Sequence, residues 1–391
     1  MRLPDEANLR ELIGWDAGLG VVSVYLEIDP GDRGGAWQIA LREPLDEIAR
    51  AAREGDDRER RAAVEATVER IAGRFAPKAP PSGRMQIGFV EVSPKPGRIG
   101  REEWFSLQHP VEPTRVAYGR RPFVRPLAEI LDGGRPRTVA ALSTERVRVF
   151  EWRLGTIEEL AERELELLAL DWRERKAPQV RDPSSAQGVS SAGRDQFGQR
   201  LEQNRRRFLK ESGGRSSREL SERARRELLC FGDPKLCEAF VAGWDGVPRR
   251  VAVDHHDVIA EPTHAIAERA TQKLHELDLQ REMELVEKAT SAALARNGVG
   301  ALGPSPTARA LLRGQVEHLL IDADASLDTA ALDADVLEEL ESASPRPGAR
   351  LDEWMVEEAI LTSAEITPVR DEPAERLAEH GGVGALLRYQ A

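Results

Sequence analysis

Short runs rich in apolar and β-branched residues alternate along this chain with longer charged stretches in which apolar positions return at helical spacing. After a short opening helix, Val21-Val22-Ser23-Val24-Tyr25-Leu26-Glu27-Ile28-Asp29 predicts a strand, and Met85-Gln86-Ile87-Gly88-Phe89-Val90-Glu91-Val92 predicts another. Two charged helical stretches, 35–53 and 57–75, lie between them. Short strands are expected at 104–107 and 115–118, and Asp132-Gly133-Gly134 marks a boundary. The first unit is therefore an α/β domain over 1–134.

The pattern then restarts with a hairpin-like pair, Arg137 to Leu142 and the alternating Arg146-Val147-Arg148-Val149-Phe150-Glu151-Trp152. Thr156 with Glu159 reads as a capping box, and Ile157, Ala161, Leu165, Leu168 and Trp172 follow at helical spacing, so a helix is expected there, packed on the sheet. From Ala177 to Gly193, Pro, Ser, Gly and Gln replace the apolar residues and predict a loop. A helix resumes near Gln196 and runs to about Lys210. Strands are expected at 227–231 and 250–253, with Asp233-Pro234 as N-cap and first helical residue between them. This βαβ rhythm gives a second α/β domain over 135–260, carrying a Gln-bearing loop at 177–200.

A third domain, 261–391, opens with a long helical stretch from Thr263 to Asn297, with a candidate break near Asp278. A helix over 307–313, a strand over 316–322, an acidic loop, a helix over 351–362, a strand over 364–369 and the terminal segment 382–389 complete it. The fold class is thus α/β in three domains, with no repeat of solenoid length.

Composition narrows the function classes. The chain is 32% charged, carries a net charge of −12 and contains no apolar run long enough for a membrane span. No secretory leader is evident at Met1-Arg2-Leu3-Pro4-Asp5-Glu6, and a cytoplasmic location is expected, with no membrane partner. Cys230 and Cys237 do not match a redox or zinc spacing and read as buried structural thiols. Asp254-His255-His256 is the one grouping with ligand types to join them around a metal, and it reads better as a solvated strand end.

Two further motifs fall away on context. Gly298-Val299-Gly300-Ala301-Leu302-Gly303 has the letters of a dinucleotide fingerprint, but a helical run precedes it and Pro304 follows; the glycines read as ending one helix and turning the chain. Asp322-Ala323-Asp324-Ala325-Ser326-Leu327-Asp328 begins like a calcium loop, yet Leu327 stands where the sharp turn requires Gly, so it reads as an acidic surface loop. No metal or organic cofactor is implied.

What survives is charge. From Trp172 to Arg226 there are fifteen Lys/Arg against seven Asp/Glu, which leaves +8 there and −20 elsewhere. Within this island Gly193-Arg194-Asp195-Gln196-Phe197-Gly198-Gln199 runs into Arg200, Arg205-Arg206-Arg207 and Lys210. Confined positive charge beside a glutamine-bearing tip points to an RNA phosphate backbone, with Arg194, Arg200, Arg205, Arg206, Arg207 and Lys210 as its contacts; DNA is not expected.

Three blocks in order resemble a known family: Ala310-Leu311-Leu312-Arg313-Gly314-Gln315-Val316-Glu317-His318-Leu319-Leu320-Ile321, then Val356 to Ile366, then Gly381-Gly382-Val383-Gly384-Ala385-Leu386-Leu387-Arg388-Tyr389. They resemble the C-terminal domain of archaeal and eukaryotic class-I peptide release factors and Pelota, in particular the bacterial release-factor-like branch and the Vms/Ankzf-type peptidyl-tRNA hydrolases. The resemblance implies a ribonuclease-H-like middle domain with a long basic loop and a last domain built as an α/β/α sandwich. It also implies peptidyl-tRNA as substrate, on stalled ribosomes, with the ribosomal A site and its rRNA as partner.

By the same resemblance Gln196 aligns with the glutamine of the family's Gly-Gly-Gln tip, with Gly193 before it and Gln199 as fallback, and would help orient water and stabilise an oxyanion. Arg194-Asp195 replace the family's second glycine and its neighbourhood. A second function class therefore stands beside hydrolysis. Balon-type hibernation factors, which this chain resembles in domain order, lack the tip and occupy idle ribosomes together with elongation factor Tu.

Overall fold

The computed structural model describes residues 3–29, 31, 35–55, 57–75, 83–94, 100–108, 114–165, 191–295, 298–343 and 350–389, without the side chains of 191–198. The fold is mixed α/β with three sheets. The chain forms two compact units, Met1–Gly134 with His275–Ala391, and Arg135–Leu274.

In the first unit, β1 (Val21–Glu27), β2 (Met85–Glu91), β3 (Glu102–Leu107) and β4 (Arg115–Gly119) make an antiparallel sheet in the order β3-β2-β1-β4. Strand alternation sends Val22, Val24 and Leu26 to one face, where they meet Leu41 and Leu45 of α2 (Ala36–Glu54) and Val64 and Val68 of α3 (Arg58–Arg74). The short opening helix α1 (Glu6–Ile13) is closed by a capping box between Asp5 and Asn8. A helix the sequence reading omitted, α4 (Arg125–Gly133), follows β4.

The same unit contains a second sheet. Its strands are β10 (Gly300–Leu302), β11 (Val316–Asp322), β12 (Glu365–Val369) and β13 (Val383–Leu387), in the order β10-β13-β11-β12 with β11 and β12 parallel. Val286 and Ala289, from the helix α7 (Thr263–Leu294), and Leu377 of α11 (Asp371–Ala378) pack on Leu320, Val369 and Leu386. Alternation turns the buried Leu319 and Ile321 to the opposite face, and α8 (Pro304–Leu312) and α10 (Leu351–Leu361) complete the expected α/β/α sandwich. The helix α9 (Ala334–Ala343), also omitted by the sequence reading, precedes α10.

The second unit is one five-stranded sheet ordered β7-β6-β5-β8-β9, from β5 (Arg137–Leu142), β6 (Arg146–Arg153), β7 (Thr156–Glu164), β8 (Glu227–Phe231) and β9 (Arg250–Asp254). The first three form an antiparallel meander, and β8 and β9 run parallel to β5, which is the ribonuclease-H-like order. Helices α5 (Ser191–Glu219) and α6 (Pro234–Val241) cover one face through Leu209, Leu220, Cys237 and Phe240. Asp233 caps α6 by accepting from the Lys235 N–H at 2.8 Å, with Pro234 in the first turn as expected.

Five expectations need correction. The helix expected from Thr156 is strand β7, paired with β6 over Thr156–Glu164. Leu154 and Gly155, at φ 50° and 75°, turn the chain tightly, and Arg148 bonds Glu159 across the strands at 2.8 Å. Ile157 and Ala161 are four apart, as on one face of a helix, but the register of β7 against β6 shifts between Val149 and Phe150, so the two side chains fall on opposite faces of the strand. Residues 166–172 lie outside the described residues.

The helix expected over 196–210 runs instead from Ser191 to Glu219, and the expected break near Asp278 is absent from α7. The Gly298–Gly303 segment is more than a turn, because it contains β10, and α8 starts at Pro304 rather than Thr307. Its glycines are required by proximity to α7: a Cβ on Gly298 would lie 1.7 Å from the Ala292 carbonyl oxygen.

Candidate RNA interface on helix α5

Two halves of α5 differ in how they are held. Leu209, Ser212, Gly213, Ser216, Ser217 and Leu220 are buried, and they recur at helical spacing on one face. Small residues there let α5 approach α6 closely: a Cβ on Gly213 would sit 2.0 Å from the Phe240 carbonyl oxygen, and one on Gly243 1.7 Å from that of Lys210. Arg163 of β7 adds bonds to Ser216 at 2.8 Å and Glu219 at 2.8 Å. This second half is part of the core.

From Gln199 to Arg207 no residue is buried. The ion pair of Arg205 with Glu145, in the turn between β5 and β6, holds this half to the sheet. Arg205 is thereby drawn into a structural pair, unlike its neighbours. Arg206, Arg207 and Lys210 are exposed and meet no hydrogen-bond or ion-pair partner among the described residues. Arg200 is exposed as well.

Gly193, Arg194 and Gln196 lie in the first turns of α5 rather than in a loop, and their side chains lie outside the described residues, as does the expected loop at 177–190. The backbone alone has a chemical consequence. An α-helix leaves only its first four N–H groups without an intrahelical acceptor, so the Gln196 and Gln199 amides, deeper in the helix, are committed to helical bonds. An oxyanion needs free, pre-aimed donors, and these two amides are not free while the helix stays closed.

Sequence reading missed Arg215 and Arg218, which continue the exposed basic positions of α5 past Lys210. The signal was present in the spacing: Arg200, Arg207 and Arg218 fall within about 20° of one another around a helix of 3.6 residues per turn.

The other candidate chemistry resolves into structure. Cys230 and Cys237 are free and buried in the middle core. Burial pushes the Cys230 thiol up, and the hydrogen bond it gives Cys237 holds the latter's thiol down. His256 bonds Asp254 through Nδ1 at 2.5 Å, and no cluster of three or more metal-ligating side chains occurs among the described residues. In the acidic loop, carbonyl oxygens of Asp322, Ala323 and Ala325 accept from the Arg125 guanidinium at 2.7–2.8 Å. The loop's backbone is thus turned inward onto a buried arginine and is part of the packed structure.

Residues 122–275 match the model of Bacterial archaeo-eukaryotic release factor family 10, which spans the middle unit and bears out the resemblance to the bacterial release-factor-like branch. No curated protein matches the chain. Among solved structures, an archaeal translation termination factor, aRF1, is 17% identical, with 99% of each chain covered and a TM-score of 0.26. Dom34 of S. cerevisiae, described as a translation termination-like factor interacting with Hbs1, is 11% identical over 78% of this chain and 81% of its own, at TM-score 0.38. A ribosome-bound archaeal Pelota is 13% identical over 100% and 96%, at 0.40. No helix among the described residues is long and apolar enough to cross a membrane.

Proposed function

We propose that this chain is a cytoplasmic, release-factor-like protein that enters the ribosomal A site and lays helix α5 against rRNA near the acceptor end of peptidyl-tRNA. The observation that carries this reading is the division of α5 into an anchored half and an unburied half, with Arg206, Arg207 and Lys210 exposed and without partners among the described residues, within a unit that matches a release-factor family model. Arg200, Arg206, Arg207 and Lys210 serve as phosphate contacts, with Arg194 ahead of them. Arg205 acts by holding the arm through Glu145.

Two outcomes follow at the tip. Occupancy without chemistry, as in a hibernation or stress factor working with elongation factor Tu, is favoured by the helical backbone at Gln196 and by Asp195 beside it, since a carboxylate there opposes a developing oxyanion. Hydrolysis of the peptidyl-tRNA ester on stalled ribosomes requires the first turns of α5 to open, so that Gln196 or Gln199 presents a free amide beside that of Gly193. Single-turnover release of peptide from ribosome-bound peptidyl-tRNA decides between them. Occupancy predicts no release above background. Release abolished by Gln196→Ala or Gln199→Ala would establish hydrolysis in its place.

A further inference from the structure

Arginine is paired almost wherever it enters a packed element. Arg125 bonds Glu129 and Asp352, Arg148 bonds Glu159, Arg163 bonds Glu219, Arg281 bonds Asp132, and Arg370 bonds Glu129. Along the outer face of α5 this rule stops. Arg207, Lys210, Arg215 and Arg218 are exposed and have no partner among the described residues, although Glu211 lies on the same face. Eighteen helical residues separate Arg200 from Arg218, a straight stripe about 27 Å long at 1.5 Å per residue. Arg200, Arg207 and Arg218 lie along its centre, with Lys210 and Arg215 on either flank. Gln203 and Asn204 add neutral hydrogen-bond donors to the same face.

The composition of this stripe distinguishes among nucleic acids. Single strands are held by aromatic platforms on which bases stack, and the one aromatic residue in the described side chains of α5, Phe208, is half-buried toward the core. A rigid row of cations without stacking groups suits a double helix read through its phosphates and shape. We propose that the outer face of α5 binds double-helical RNA, and that Arg215 and Arg218 extend the phosphate contacts beyond the cluster ending at Lys210. The choice of RNA rests on the reading of the chain as a ribosome-docking protein.

Fluorescence anisotropy of the full chain with a blunt RNA duplex, a single strand of equal length and the matching DNA duplex tests this. The duplex RNA should bind tightest, with an affinity that falls steeply with salt. Arg215→Glu/Arg218→Glu should weaken it about tenfold or more and reduce the magnitude of the salt slope by about one per lost phosphate contact. A charge-matched control, Arg10→Glu/Arg58→Glu, alters exposed residues outside α5 and should leave binding nearly unchanged. Equal losses in both double variants, no loss in the α5 variant with its helicity intact, or preference for the single strand or DNA would each overturn the proposal. Ribosome co-sedimentation of the same variants separates the two levels. Retained ribosome binding without duplex binding defeats this inference alone, whereas loss of ribosome binding by the wild type at low salt defeats the docking reading itself.

Discussion

Arg125 and Arg207 are the same residue type set to opposite tasks, and the difference lies entirely in what surrounds them. Arg125 on α4 is 2% exposed and engages Asp352, itself fully buried, together with Glu129 and three carbonyl oxygens of the 322–325 loop. Arg350 reaches the same Asp352 at 2.8 Å and Arg370 reaches Glu129 at 3.3 Å, so the network ties the two sheets of the first unit together. Arg207 on α5 is exposed and has no partner among the described residues. A buried guanidinium must be satisfied by its own protein, whereas an exposed one held on a rigid helix is available to another molecule's phosphates.

The contrast can be broken by substitution. Arg125→Met should cost the most, about 3–5 kcal/mol, because it leaves a fully buried carboxylate short of its main partner. Thermal unfolding of the full chain, with hydrogen exchange followed in α4 and α10, measures it. Next comes pH dependence in the same unit, where burial raises Glu282 and Glu353 to about 7. Each holds its proton more tightly folded than unfolded, so the stability each contributes is complete below the ordinary carboxylate range and is lost as pH rises through about 7. Stability should therefore fall as pH rises from about 4.5 to about 7 and level off above it, and Glu353→Gln should flatten that fall by about 1–3 kcal/mol.

In the second unit, Gly243→Ala should cost about 1–3 kcal/mol by forcing α5 and α6 apart, read as a lowered midpoint in chemical denaturation. The smallest effect sharpens the comparison most. Arg207→Met, the same exchange made at Arg125, should change stability by no more than about 0.5 kcal/mol. A cost comparable to that at Arg125 would mean that Arg207 serves the fold.

Much of this was legible in sequence. The strands of all three sheets except β7, β10 and β13 follow from apolar and β-branched runs, and the basic island announced itself by charge alone. What was hidden had physical reasons. The Ile157 and Ala161 spacing imitates a helix because a bulge separates the two residues in β7, and the Leu154-Gly155 turn and the cross-strand Arg148–Glu159 pair decide for the strand. The second half of α5 is built on Ser212, Gly213, Ser216 and Ser217, which carry no apolar signal, because its partner helix comes too close to admit larger side chains. The arginines looked alike as letters. Pairing sorted Arg205 into the fold and left Arg206, Arg207 and Lys210 facing outward.

The central claim, that the first half of α5 is an RNA-docking arm, is tested most directly by co-sedimentation with 70S ribosomes across a salt series, comparing wild type with Arg206→Glu/Arg207→Glu/Lys210→Glu. Wild type should co-sediment at low salt and dissociate as salt rises, while the triple variant, with its fold unchanged, should stay in the supernatant throughout. Equal sedimentation of the two proteins at every salt concentration would contradict the account.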